Sequence, residues 1–188
     1  MLDDKFKEAK EMYCFYNGNK FFMYQDEDSN RKKYESFMIP EELEKQWDKE
    51  IKADLLNKIE NEKNLDIKRV YFSYLNDLSL KMKDIEGIIY LKNLLYRKEL
   101  NFDSFTKILL IEIIFRWAEY FAKIDKEKML QIMKESIDSL VKLEEEPITV
   151  SKDYFAASDL PDYLTNTELK KRINNDKHKY ILLYSQIK

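Results

Sequence analysis

The sequence predicts an all-α protein, and three observations carry that prediction. Glycine is nearly absent: Gly18 and Gly87 are the only two in 188 residues, where a chain of this length ordinarily has roughly a dozen. Proline is equally scarce, at three. Apolar residues recur at three- and four-residue spacing along most of the chain, which is the signature of amphipathic helices. Glycine supplies positive-φ turns and phosphate-cradling loops. Its scarcity argues for helices joined by short polar connections and against glycine-dependent enzyme motifs. The expected architecture is a compact multi-helix bundle or a set of stacked αα-hairpins, with one short β-hairpin near the N-terminus as an option. A single domain over 1–188 is the default at this length, divisible into an N-terminal subdomain 1–62, a helical core 63–146 and C-terminal helices and loop 147–188.

Element by element, residues 3–16 place Phe6, Ala9, Met12, Tyr13 and Tyr16 on one helical face. Asn17-Gly18 then reads as a left-handed helix stop. The same dipeptide admits a hairpin with strands 13–16 and 20–24. Residues 25–33 are polar and read as a loop or a frayed helix start. Pro40 suits the first position of a helix running to about residue 60, with Glu41 and Glu42 in its first turn. Its stripe is Leu43, Trp47, Ile51, Leu55 and Ile59, widened by Leu56.

The next helix, 66–82, carries Ile67, Val70, Tyr71, Tyr74, Leu75, Leu78 and Met82. A helix over 84–98 follows after so short a connector that the two are expected to pack antiparallel. Asp103 caps a core helix, 103–123, that is apolar around most of its circumference and so is expected to be buried on most sides. A helix over 126–143 starts after Asp125 and stops at Glu144-Glu145-Glu146-Pro147. Residues 147–164 read as irregular, with room for one short turn. Thr165 and Glu168 form a capping box opening a helix to about 174. The stretch 179–187 fits a helix or a strand equally well.

Composition narrows the function classes. Apolar residues make up 44% and aromatics 14% of the chain, enough for a packed core. The formal net charge of −3 argues against a general nucleic-acid binder. Lysine outnumbers arginine 28 to 5, a bias of the kind an AT-rich coding sequence yields. Cys14 is the only cysteine, so neither an internal disulfide nor a cysteine-based zinc site can form. The opening Met1-Leu2-Asp3-Asp4-Lys5 lacks the basic and apolar regions of a signal peptide, and the apolar run Ile108 to Ile111 is far short of the ~20 residues a bilayer requires. A cytoplasmic protein without cofactor or metal is the expectation.

Four groups of residues are candidates for chemistry. His178, the sole histidine, sits in Asp176-Lys177-His178-Lys179 and reads as a solvated surface residue. Pro161-Asp162 followed by Glu168-Leu169-Lys170 resembles the Pro-Asp…Asp/Glu-x-Lys pattern of restriction-type nucleases, in which two acids hold Mg²⁺ and the lysine orients water. That resemblance covers five residues, and Thr165–Glu168 reads as a helix start where the pattern calls for adjacent strands. Glu112, Arg116, Glu119 and Lys123 form one polar line on the core helix. The line is either an outward stripe with a Glu112–Arg116 pair or a partly buried charge line at the floor of a groove. Finally, 144–168 sets Glu144, Glu145, Glu146, Asp153, Asp159, Asp162 and Glu168 against Lys152 alone, with Tyr154, Phe155 and Tyr163 interleaved. Tyrosine gives contact area at low entropic cost, and carboxylates steer the encounter with a basic surface. Asp153, Tyr154, Asp159, Asp162 and Tyr163 are therefore the candidate partner-binding residues. The basic tail 169–188, with Asp176 as its only acid, is expected to cover the acidic stretch within the same molecule.

These features point to a non-catalytic, cytoplasmic protein-binding module of the bacterial immunity or inhibitor type, neutralising a cognate toxin with a basic surface. A Mg²⁺-dependent carboxylate nuclease or hydrolase is one alternative, and a self-associating helical scaffold is another.

Overall fold

The computed structural model describes residues 6–97, 100–151 and 161–188, and among them are nine α-helices and no strand. The chain forms two units. The first comprises 1–61 and 74–84, the second 62–73 and 85–188. The division passes through the helix pair expected as a hairpin: 74–84 fall in one unit and 85 onward in the other.

In the first unit, α1 (Lys7–Phe15) buries Ala9 and Tyr13. It ends in a Schellman arrangement, with the Gly18 N–H donating to Tyr13 O (2.9 Å) and the Asn17 N–H to Cys14 O (3.0 Å). Asn17 and Gly18 take φ of 49° and 74°. The hairpin option is not realised. The Asn19 side chain instead accepts from the N–H groups of Phe21 and Phe22, at 3.1 and 3.3 Å, and opens α2 (Lys20–Asp26).

The stretch read as a loop or a frayed helix start becomes helical. After one extended residue, Glu27, α3 (Asp28–Ser36) follows. Its sequence is polar on most sides, so its support comes from packing. Tyr34 is buried, stacks on Tyr13 with ring centroids 5.8 Å apart, and donates to Glu44 Oε1 at 2.9 Å. In α4 (Glu41–Asn61), Pro40 serves as the cap, its carbonyl accepting from the N–H groups of Leu43 and Glu44 at 3.0 and 3.3 Å. Trp47, Ile51, Leu55 and Ile59 are buried as the stripe predicts.

Asp48 is buried with them, and this was not anticipated. It accepts from the Tyr13 hydroxyl (2.8 Å) and from Lys81 Nζ (2.7 Å). Lys81 lies near the end of α5 (Leu65–Met82) and also donates to the Tyr13 hydroxyl and to Gly18 O (3.1 Å). All three of its N–H donors are thus used. A Cβ on Gly18 would lie 2.8 Å from Asp48 Oδ1, so this turn needs glycine for both space and φ.

In the second unit, the N-terminal half of α5 turns a different face inward from the one expected. Ile67 and Val70 are exposed, at 42% and 46%, whereas Arg69 and Phe72 are buried. The cause is a polar cluster that claims Arg69. Its Nη2 donates to Asp103 Oδ2 (2.8 Å), its Nε to Thr106 Oγ1 (2.8 Å) and its Nη1 to Asp66. Asp103 also caps the core helix, accepting from the Thr106 N–H (2.8 Å), and receives the Ser151 N–H (2.6 Å). Burial pushes the Asp103 carboxyl up. The hydroxyl and N–H of Thr106, the Ser151 N–H and the Arg69 charge outweigh it and hold Asp103 below the usual carboxylate range.

Helix α6 (Ile85–Leu95) packs on α7 (Ser104–Phe121), which buries Ile108, Leu110, Ile111, Ile114, Phe115, Trp117 and Phe121. Each such side chain contributes on the order of 1.5–3 kcal/mol on burial. α8 (Lys126–Glu145) starts as expected, with Asp125 accepting from the Lys128 N–H (3.2 Å), and packs against α7 after a short turn. α9 is one continuous helix, Asn166–Ile187, which resolves 179–187 as helical and removes the expected break after 174. Thr165 caps it through the Glu168 N–H at 3.4 Å. No helix among the described residues is long and apolar enough to cross a membrane.

Candidate functional site

In the second unit α9 runs parallel to α7, because residues met in rising order on one meet rising numbers on the other: Glu112 faces Arg172, and Phe115 faces Tyr180. The Phe115 and Tyr180 rings stack at 3.8 Å with 8° between planes and fix the two helices side by side. Beside this stack lies a groove of about 290 Å³, lined by Glu112, Arg116, Glu119, Asp176, Lys179 and Leu183 together with the two rings. Three of the four charged residues read from the sequence as one polar line thus do reach a groove. Lys123 is exposed and is not in the lining.

The expected Glu112–Arg116 pair is replaced by another. Arg172 grips Glu112 with both limbs of its guanidinium, Nε to Oε1 and Nη2 to Oε2, each at 2.6 Å. A bidentate pair in a half-buried contact is stronger than a single-helix pair in water, which explains the choice of partner. Burial opposes the charge on Arg172, but its bonds to Glu112 keep its pKa above the ordinary value.

Asp176 stands one turn along α9. Burial pushes its carboxyl up to about 6, helped by the Glu112 charge and a hydrogen bond shared with Glu112, against the pull of Arg172 and Lys179. Its Oδ2 is buried and has no hydrogen-bond partner in the protein. Burial, with Asp176 and Glu112 adding to it, likewise raises the Tyr180 hydroxyl. Neither Arg172 nor Asp176 was singled out in sequence, although Asp176 being the lone acid of a basic tail was the available signal.

The remaining candidates are scattered. Asp153, Tyr154 and Asp159 lie outside the described residues. Asp162 and Tyr163 form, with Leu164, a 3-10 turn just before α9. Both point to solvent, Tyr163 at 59% exposure, while Leu164 is buried. The turn is braced by the Leu164 N–H on Pro161 O (2.8 Å) and the Thr165 hydroxyl on Asp162 O (2.9 Å). Glu168 is exposed and 3.6 Å from Lys171, and the Glu168-Leu169-Lys170 stretch is helical, unlike the strand setting of the nuclease pattern. Among the described residues, the basic tail reaches back to the acidic stretch where Lys177 bonds Glu144.

His178 is exposed, with Nδ1 2.7 Å from Asn174 O. Cys14 is a half-buried free thiol whose pKa burial raises. Among the described residues, no group of three or more His, Cys, Asp or Glu side chains is placed to hold a metal ion.

Fold and site together define an all-α protein with a mixed-charge groove between two helices and a braced acidic-tyrosine turn at the head of one of them. No family model matches the chain, and no curated protein or solved structure matches it either.

Proposed function

We propose that the chain is a non-catalytic protein-binding module of the bacterial immunity or inhibitor type, which neutralises a cognate toxin by covering a basic surface on it. The observation that carries this reading is the Asp162–Tyr163 turn. Its backbone is tied down by the buried Leu164 and the Thr165 cap, while a carboxylate and a tyrosine face outward. A backbone held in place before binding loses little entropy on binding, and tyrosine is a residue type favoured at the centres of interfaces. The net charge of −3 steers approach to a basic partner.

The test is photo-crosslinking in native cells with benzoylphenylalanine at position 163. The expected result is one dominant adduct with a basic protein, lost in Asp162→Lys and reduced by salt. Adducts spread over many proteins and indifferent to Asp162→Lys would reject the reading. A dominant adduct with a second copy of the chain would replace it by a self-associating scaffold.

A further inference from the structure

One buried polar atom on the lining of the α7–α9 groove stands out. Arg172 occupies both oxygens of Glu112. Asp176 Oδ2 is buried and accepts from nothing in the protein. A buried acceptor left unmade is costly, and a carboxylate oxygen more so than a neutral one. What it lacks is a donor. At low pH the carboxyl carries its own proton and no charge. When that proton is gone, the donor has to come from outside.

The shape of the groove narrows the donor. Its volume, about 290 Å³, lies at the lower limit of ligand pockets and suits one long side chain. Phe115, Tyr180 and Leu183 make an apolar wall for a methylene stem, and Glu119 adds a second carboxylate at the rim. Arg116 and Lys179 also line the groove and would attract an anion. An anion, however, would face the carboxylates of Asp176 and Glu119.

We infer that the groove receives the basic tip of a lysine or arginine side chain of the protein partner, paired with the Asp176 carboxylate on its lining. This rests on the reading of the chain as a binder of basic surfaces, and it names the groove as the point where one basic side chain is buried. The charged and titratable groups around Asp176 are Glu112, Arg116 and Glu119 from α7 and Arg172, Lys179 and Tyr180 from α9.

The test uses N-acetylarginine amide, which carries a single guanidinium and no other charge, with N-acetylnorleucine amide as its uncharged counterpart and inorganic phosphate as the anionic probe. Binding is followed by amide NMR shifts of residues 112, 119, 176 and 180 on the full chain. The arginine probe should saturate shifts at these residues, and its affinity should rise about tenfold from pH 5 to pH 7 as Asp176 ionises. In Asp176→Asn, with helicity checked by circular dichroism, affinity at neutral pH should fall about tenfold and its pH slope should vanish. Glu119→Gln, an exposed change, should weaken it about threefold.

Equal binding of the norleucine probe, binding of phosphate instead, unchanged affinity in Asp176→Asn, or no saturable shift at all would each overturn the inference. If the arginine probe fails while the crosslink at position 163 succeeds, the groove assignment falls and the partner-binding reading stands. The reverse pairing of results keeps the groove and removes the turn as the recognition element.

Discussion

Replacing Gly18 by alanine should destabilise the first unit by about 2–4 kcal/mol, and the figure can be assembled from two parts. Gly18 sits at φ 74°. A side chain in that left-handed region costs about 1–2 kcal/mol. The added Cβ would also lie 2.8 Å from Asp48 Oδ1, 3.4 Å from Tyr13 Cε1 and 3.5 Å from Lys81 Nζ. The carboxylate cannot retreat freely, because it is buried and accepts from Tyr13 at 2.8 Å and Lys81 at 2.7 Å. Stretching those bonds forfeits part of a charge-assisted interaction, about 1–2 kcal/mol more.

The assay is urea unfolding followed by fluorescence in a Trp117→Phe background. Trp47, buried in the first unit, is then the only tryptophan and reports that unit. The two parts separate in a double-mutant cycle. In an Asp48→Ala background the Gly18→Ala cost should drop to the backbone part, about 1–2 kcal/mol. A cost below about 1 kcal/mol in the parent, or equal costs in the two backgrounds, would refute the account of this turn.

Two further outcomes follow from the second unit. Asp103→Ala removes a helix cap and leaves Arg69, 9% exposed, with Asp66 as its one remaining carboxylate partner among the described residues, so it should destabilise by about 2–4 kcal/mol in denaturant titrations followed by Trp117. Asp176 is more basic folded than unfolded, so its ionisation opposes the fold: its contribution is fully present below about pH 4 and is lost as pH rises through about 6. Asp176→Asn should therefore flatten stability over that window and raise Tm at pH 7. A wild-type contribution that grew with pH there would contradict the assignment.

How much of this was legible in the sequence depended on whether a residue acts through its neighbours in the chain or through distant ones. Caps act locally, and Asp103, Asp125 and Thr165 each accept the bond their position implies. The Asn17-Gly18 stop is local in the same sense. Helix α3 was legible only as an alternative to a loop, because a polar run shows no stripe and its anchor, Tyr34, owes its burial to Tyr13 and Glu44 from other elements. Buried polar residues were missed for a related reason. Periodicity assigns Asp48, Arg69 and Asp176 to the outside, and only partners 33 or more residues away in sequence, such as Lys81 and Asp103, reveal that the first two face inward. The groove was half legible: its α7 wall showed as a polar line, while the α9 wall was hidden in a tail that read as uniformly basic.

The scarcity of glycine has left a mark on the backbone itself. Asn17, Met38, Lys83 and Asn101 occupy the left-handed region where glycine is the relaxed choice. Glycine codons begin with two guanines, and those for asparagine and lysine with two adenines. Mutational pressure on the coding sequence can thus be written into strained corners of a protein. Such corners are stores of unused stability that a glycine at position 38 or 83 would release without touching any proposed binding surface.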